Sequence, residues 1–204
     1  MKILWAVLIL LSPLTVAQDL QNRMVAHLQA DISQHLFLLT WTNLNLRSQT
    51  PDNSNLFAGL GYRQKSWWLE GMAWKQWGPS GGLWGADVRF RKQFGVRGKT
   101  VLYFEPAPLL SQKGFYWFLD CDTEVWNKFS VGAETENINR PGPDAMAVGP
   151  RISRSLGRIG GFDVSGTLAF RFDPLQHPGF ISGHPHEIRL YLIFSRRFAL
   201  TDRK

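Results

Sequence analysis

The chain has almost no cysteine and, beyond its first residues, no long hydrophobic run. Cys121 is the only cysteine among 204 residues, so no disulfide can form within the chain. After residue 17, no stretch approaches the ~20 apolar residues that a transmembrane helix requires. Folding must therefore rest on backbone pairing and burial. Any form of this chain that crosses a membrane would have to be a closed β-barrel.

Common catalytic and nucleotide-binding motifs are also missing. The sequence contains no Gly-x-Ser-x-Gly, no His-Glu-x-x-His and no glycine loop of the kind that cradles phosphates. The formal charge of +7 at pH 7 comes from lysines and arginines that are spread along the chain rather than clustered. We therefore expect no nucleic-acid partner, no metal and no cofactor, and an anionic membrane surface as the better partner.

The N-terminus has the form of a secretory signal peptide. Lys2 is followed by a short apolar run, and the small residues Thr15-Val16-Ala17 precede Gln18. Residues 1–17 are therefore predicted to be removed on export. No Ser-, Pro- or Gly-rich linker divides the remainder, so residues 18–204 are predicted to form one domain. Its predicted parts are an N-terminal periplasmic segment (18–35), a barrel (36–198) and a tail (199–204).

Ten segments of the chain are predicted to be β-strands, most of them because apolar and polar residues alternate. Between residues 161 and 172, for example, Phe162, Leu168 and Phe170 alternate with Asp163, Thr167 and Arg171. Segments 36–46, 67–77 and 99–109 have strand composition but a blurred alternation. The ten segments are 36–46, 55–63, 67–77, 83–91, 99–109, 115–125, 129–136, 145–153, 161–172 and 187–198.

The connections that follow the first, third, fifth, seventh and ninth segments are long, and those that follow the even-numbered segments are mostly shorter. The last predicted strand ends in the aromatic Phe198. In these features the chain resembles bacterial outer-membrane β-barrel proteins. The resemblance implies an all-β, closed, antiparallel up-and-down transmembrane barrel of about 10 strands, with 8 or 12 as alternatives. It also implies an outer-membrane location with both termini in the periplasm. The expected partners are outer-membrane lipid, lipopolysaccharide and the barrel-assembly machinery.

Residues 18–35 fit two patterns. Leu20, Met24, Leu28 and Ile32 would share one face of a helix, whereas Met24, Ala26, Leu28, Ala30 and Ile32 would share one face of a strand. A short periplasmic helix is the preferred prediction. An additional strand would make the strand count odd or displace another candidate.

If the apolar faces contact lipid, the polar faces must point into the barrel. Acidic and basic residues on those faces are nearly balanced, which predicts a network of ion pairs, because an unpaired buried charge is costly. We therefore expect a filled or very narrow lumen. The predicted lumen residues are Arg63, Asp87, Arg89, Arg91, Asp120, Asp122, Glu124, Glu134, Glu136, Arg151, Asp163, Arg171, Glu187, Arg189 and Arg197.

Tryptophan is abundant, and its amphipathic ring favours the boundary between lipid and water. Trp67, Trp68, Trp84 and Trp117 are predicted to lie in an aromatic girdle at the membrane surface. The tryptophans at positions 67, 68, 74, 77 and 84 could instead stack on sugar or lipid, but for positions 67, 68 and 84 the girdle is the simpler interpretation.

The last long connection holds the richest group of residues suited to chemistry: Asp173, His177, His184, His186 and Glu187. A histidine beside a carboxylate can act as a general base, and these residues could also supply metal ligands. The simpler interpretation is a surface loop with solvated polar residues, and no catalytic residue is assigned.

Three functions follow from these patterns. The leading prediction is a non-enzymatic outer-membrane barrel with a largely filled lumen, which serves membrane integrity, surface interaction or restricted passage of small solutes. The second is a hydrolase or lipid-modifying enzyme at the outer rim. The third is a soluble periplasmic barrel of lipocalin type, whose strands would be apolar inward and polar outward.

Overall fold

The computed structural model of the protein describes residues 20–45, 54–77, 82–139, 145–174 and 186–200. The signal peptide predicted at residues 1–17 therefore lies outside the described residues. Eleven strands follow one another along the chain. They are β1 (Leu20–Asp31), β2 (Leu36–Asn45), β3 (Ser54–Arg63), β4 (Trp67–Trp77), β5 (Trp84–Phe94), β6 (Thr100–Leu109), β7 (Gly114–Trp126), β8 (Phe129–Asn139), β9 (Ala145–Ile159), β10 (Phe162–Phe172) and β11 (His186–Ala199).

The strands form one closed barrel in which each strand pairs with its neighbours in the chain. All of these pairs are antiparallel except the closing pair of β1 and β11, which is parallel. All ten strands predicted from the sequence are present. The predicted all-β barrel is thus confirmed, with eleven strands in place of about ten.

The preference for a helix over residues 18–35 is wrong, because residues 20–31 form β1. In this position β1 pairs with β2 from Arg23 to Asp31 and with β11 along its whole length. Without β1, the facing edges of β2 and β11 would carry backbone groups that have lost these partners. The strand pattern is therefore favoured over the helical one by the demand for backbone hydrogen bonds at the two edges.

The odd strand count places the two ends of the described chain at opposite ends of the barrel. The turns 32–35, 64–66, 95–99, 127–128 and 160–161 lie at what we call the short-turn end, where β11 also finishes. The strands flanking 46–53, 78–83, 110–113, 140–144 and 173–185 meet at the other end, the long-loop end, where β1 begins. The prediction that both termini share one end, which assumed an even count, is therefore wrong.

Side chains alternate between the interior and the outside along each strand. In β10, Ala169 and Arg171 are buried inside the barrel, whereas Leu168, Phe170 and Phe172 are exposed on the outside. The same holds for Leu60 of β3, of which 56 % is exposed, and for Phe104, Val131 and Ile152. This orientation is the inverse of a lipocalin-type barrel. Within the described residues, no helix is long and apolar enough to cross a membrane.

A small apolar core occupies part of the interior between β2 and β4. Phe37, Leu39 and Met72 form a buried cluster against which Trp41 and Phe57 pack. Gly61 of β3 lies opposite Phe37, and a Cβ atom at position 61 would overlap the phenyl ring. The absence of a side chain at Gly61 is therefore what admits the ring of Phe37.

Replacement of Gly61 by valine should lower the free energy of unfolding by about 1–3 kcal/mol, because the added methyl groups must displace the ring of Phe37. Urea titration followed by tryptophan fluorescence measures this change. Gly71→Val is the matched control, since a Cβ at this outward position meets no atom within 4 Å. An equal loss in both variants would contradict the packing described for Phe37.

Candidate functional site in the charged interior

Arg171 of β10 is completely buried and contacts three carboxylates on two strands. Its Nε lies 3.2 Å from Glu134 Oε1 of β8, and its Nη1 lies 2.8 Å from Glu187 Oε1 of β11. Its Nη2 pairs with Glu136, also on β8. Because β8 and β10 both flank β9, these contacts reach across the inner surface of β9.

Two further arginines extend this arrangement. Arg189 Nη2 lies 2.6 Å from Glu187 Oε1, and Arg189 Nη1 lies 2.7 Å from Glu136 Oε2. Arg151 Nη1 lies 2.5 Å from Asp120 Oδ2 and 3.2 Å from Glu134 Oε2. Each bridging glutamate thus joins two arginines. We call the connected set the central cluster: Asp120, Asp122, Glu134, Glu136, Arg151, Arg171, Glu187 and Arg189.

The carboxylates of the central cluster are balanced by its own arginines and by arginines of neighbouring strands. Arg151 Nε lies 3.3 Å from Asp122 Oδ1, so both aspartates of β7 are paired with the same guanidinium. Arg91 of β5 interacts electrostatically with Asp120 and Asp122, and Arg23 of β1 interacts with Glu136. With these two, five guanidinium groups face five carboxylates. An unpaired charge in such a site would be strongly destabilising, so the balance of the two signs is required.

A second group lies on β2 to β6, where arginine meets both carboxylates and aromatic rings. Arg89 Nη2 lies 3.1 Å from Asp87 Oδ2 and 3.4 Å from Glu105 Oε1. The guanidinium carbon lies 4.7 Å from the ring centre of Trp41 and 4.6 Å from that of Phe57, a cation–π geometry. We call these five residues the Arg89 cluster.

The two residues that flank Trp41 extend the Arg89 cluster. Trp41 Nε1 donates a hydrogen bond of 3.3 Å to Glu70 Oε2. On its other side the ring stacks on His27 of β1, with ring centres 4.0 Å apart. Indole and imidazole therefore fill space that water would otherwise occupy beside the buried charges.

Asp31 forms a third group at the short-turn end, where the barrel closes. Its carboxylate pairs with Arg63 of β3 and lies 2.6 Å from Arg197 Nε of β11. The last residue of β1 is thereby tied to strands on both sides of it. We call Asp31, Arg63 and Arg197 the closing triad.

Replacement of Asp31 by asparagine should cost about 1–2 kcal/mol of unfolding free energy, because two charge-assisted contacts are weakened at once. Glu124→Gln is the control, since Glu124 has a longer 3.8 Å contact with Lys99 and both side chains are about 40 % exposed. Urea unfolding of the two variants under identical conditions distinguishes them. A loss no larger for Asp31→Asn would mean that the closing triad does not stabilise the barrel closure.

All of the charged residues predicted to face the lumen occupy inward positions of their strands. The central cluster, the Arg89 cluster and the closing triad account for most of them. Arg91 lies between the first two groups, with its guanidinium carbon 4.3 Å from the ring centre of Trp68. Glu124 and Asp163 lie near the short-turn end, where Asp163 is exposed.

Sequence reasoning missed Asp31, Glu70 and Glu105, because their strands have a blurred or ambiguous alternation. On β4 the inward positions hold Trp68, Met72 and Trp74 as well as Glu70. Apolar residues thus stand on both faces of β4, so alternation of hydrophobicity alone does not reveal the phase. Glu70 is the only acidic residue of β4, and this was the available signal for it.

Three of the four tryptophans predicted for the girdle, Trp67, Trp84 and Trp117, occupy outward positions. Trp68 does not, because adjacent residues of a strand face opposite sides and Trp67 takes the outer one. Trp68 instead faces Arg91 in the interior. The assignment of Trp68 to the girdle therefore does not fit its position.

The group predicted for rim chemistry is only partly described. His177 and His184 lie outside the described residues, and so does the side chain of His186. Asp173 is buried, and Glu187 belongs to the central cluster. Glu187 Oε1 lies 2.8 Å from Arg171 Nη1 and 2.6 Å from Arg189 Nη2, so this carboxylate is part of the ion-pair network. Across the described ranges, no group of three or more histidine, cysteine or acidic residues is arranged to hold a metal ion.

Among the residues that the structure describes, the charges of the interior are mostly paired with one another. A scan of the chain against models of known protein families gave no match, and a search of curated protein sequences also gave none. The function is therefore inferred from the barrel and its interior.

Proposed function

We propose that this protein is a bacterial outer-membrane barrel whose lumen is closed by the central cluster and the Arg89 cluster. It serves membrane integrity or surface interaction rather than open diffusion of solutes. The observation that carries the proposal is the inverted distribution of side chains, with charge inside and large apolar residues outside.

The outer surface of the barrel carries many exposed apolar side chains, which is unusual for a protein dissolved in water. Phe170 is 47 % exposed and Leu60 is 56 % exposed, and similar side chains occupy outward positions of neighbouring strands. Many large apolar side chains on one face mark contact with lipid or another protein. An 11-residue strand such as β4, at about 3.3 Å per residue and a tilt near 40°, rises about 28 Å, close to the ~25 Å apolar band of outer-membrane barrels.

Aromatic residues stand on the outside near both ends of the barrel. Trp77, Trp84 and Phe172 are exposed near the long-loop end, and Phe94 and Trp126 are exposed near the short-turn end. Aromatic girdles at two levels are typical of strands that enter and leave a bilayer. This distribution supports a spanning orientation over a barrel that rests on a surface.

The buried charges of the interior support a barrier function. Arg171, Arg189, Glu134 and Glu187 have almost no accessible surface, and their mutual contacts connect strands around one side of the lumen. Selective pores usually expose a ring of one charge sign to water. Neutralised and buried charges are what a closed barrel requires.

Folding into lipid tests the membrane part of the proposal. The purified protein, diluted from urea into phosphatidylcholine vesicles, should give a folded band in gels that migrates differently from the boiled sample. The folded form should remain with the vesicles after a carbonate wash. A protein that stays in the supernatant and shows no heat-dependent migration would rule out the outer-membrane assignment.

Recordings in planar bilayers test the barrier part. We expect insertion without a large steady conductance, because the charged groups that could line a water path are paired with one another. Reconstituted porin of known conductance serves as the control for detecting insertion. A large, steady open state of the unmodified protein would contradict a closed lumen.

A further inference from the structure

Basic residues are concentrated at the short-turn end. The short turns contain the exposed residues Lys65, Arg97, Lys99 and Lys128 and no acidic residue. Of these four, Lys99 has an acidic neighbour on β7, with its Nζ 3.8 Å from Glu124 Oε1. The connections at the long-loop end contain as many acidic as basic residues in the sequence: Arg47, Asp52, Lys113, Arg140, Asp144 and Asp173. The connections at the two ends of the barrel therefore differ in charge.

Three outward basic residues just inside the short-turn end have aromatic neighbours. Lys92 of β5 is paired in register with Trp67, and Arg154 of β9 with Phe129. Arg196 of β11 has its guanidinium carbon 4.8 Å from the ring centre of Phe198 and 5.5 Å from that of Phe162. An aromatic ring beside a cation is the combination favoured where an apolar surface meets charged headgroups.

From this juxtaposition we infer that the short-turn end binds anionic phospholipid. We call Lys65, Lys92, Arg97, Lys99, Lys128, Arg154 and Arg196 the basic collar. Its lysines and arginines would contact the lipid phosphates, while the neighbouring rings lie at the level of the glycerol backbone. This inference rests on the proposed membrane function and adds the chemistry of the leaflet that the short-turn end meets.

The positive charge of the basic collar favours an anionic lipid as its ligand. Exposed cations within a Debye length of an anionic leaflet attract it, and this attraction is weakened by salt. In outer-membrane barrels the short turns face the periplasm. The partner at this end is therefore a phospholipid headgroup such as phosphatidylglycerol, rather than the larger phosphorylated sugar of lipopolysaccharide in the opposite leaflet.

The test compares the thermal unfolding of the folded protein in phosphatidylcholine vesicles with its unfolding in vesicles that also contain phosphatidylglycerol of the same chain length. The collar variant carries Lys92→Gln and Arg154→Gln. The matched control carries Lys75→Gln and Lys113→Gln, two exposed residues toward the long-loop end, so both variants lose the same charge. Unfolding is followed by the loss of the heat-modifiable band.

We expect phosphatidylglycerol to raise the unfolding temperature of the unmodified protein at low salt, and high salt to remove the rise. The collar variant should lose most of this rise, and the control variant should keep it. Equal rises in the two variants, or a rise that requires lipopolysaccharide in place of phosphatidylglycerol, would overturn the inference. If the inference fails but the protein still folds in phosphatidylcholine vesicles, the proposed membrane function stands. If the protein folds in no bilayer, both the proposed function and the inference are overturned.

Discussion

Replacement of Arg171 by methionine is expected to lower the free energy of unfolding by about 3–5 kcal/mol, the largest effect of any single substitution proposed here. Methionine keeps much of the apolar stem but removes the guanidinium that contacts Glu134, Glu136 and Glu187. These three carboxylates would then repel one another in a site with almost no access to water. Arg151 and Arg189 remain, but each already has other acidic partners.

Urea titration of the protein in phosphatidylcholine vesicles, followed by tryptophan fluorescence, measures this loss. Arg158→Met is the matched control, because Arg158 is exposed near the end of the neighbouring strand β9 and lies outside the basic collar. We expect its effect to stay within about 0.5 kcal/mol. Similar unfolding curves for the two variants would mean that the buried contacts of Arg171 do not hold the barrel together.

The double variant Arg171→Met with Glu187→Gln tests whether residues of the central cluster are energetically coupled. Removing the acid reduces the repulsion that the first substitution creates, so the two losses should fall short of additive by about 0.5–3 kcal/mol. Glu124→Gln in the Arg171→Met background should be additive, since Glu124 pairs with Lys99 and lies outside the central cluster. Additivity in both double variants would argue against coupling through the cluster.

The second large effect concerns the two termini, which should lie on opposite sides of the membrane. β1 and β11 are parallel neighbours, so the start of one and the end of the other lie at different ends of the barrel. In the proposed orientation, the short turns and the end of β11 face the periplasm, while the start of β1 faces the outside. An even-stranded barrel would place both termini together.

Epitope tags placed just before Leu20 and after Lys204 can be detected by antibody on cells. We expect the first tag to be accessible on intact cells and the second only after the outer membrane is permeabilised. A third tag in the turn at residues 127–128 controls for the short-turn end and should behave like the C-terminal one. Two terminal tags with the same accessibility would contradict parallel closure, whichever way the barrel is oriented.

The sequence predicts the barrel well where one face of a strand is uniformly apolar. In β10 and β11 the outward residues Leu168, Phe170 and Leu190 alternate with inward polar ones, so both the strand and its facing are evident. In β4 the inward residues include Trp68 and Met72, and the facing becomes evident only from the register with β3 and β5. The facing of β4 is ambiguous in the sequence because apolar side chains also occupy this part of the lumen.

Which charges pair inside the lumen could not be predicted, because the pairing depends on register and barrel curvature. Glu134 and Arg171 are far apart in sequence, yet both face inward beside β9 and come within 3.2 Å. The same is true of Asp31 and Arg197, which meet only because β1 closes the barrel against β11. Alternation reveals that such residues point inward but not which strand lies opposite them.

The central claim, that the apolar outer face lies against lipid chains, can be tested most directly at Cys121. This only cysteine of the chain occupies an outward position near the middle of β7, paired in register with Leu102 and Ala133. A bimane label on Cys121 should be quenched strongly by nitroxides deep in the lipid chains and weakly by aqueous iodide. The same label on Ser153→Cys in a Cys121→Ser background faces the lumen and should be insensitive to the lipid nitroxide. Iodide quenching at Cys121 without nitroxide quenching would show that this face meets water, and the membrane barrel would be refuted.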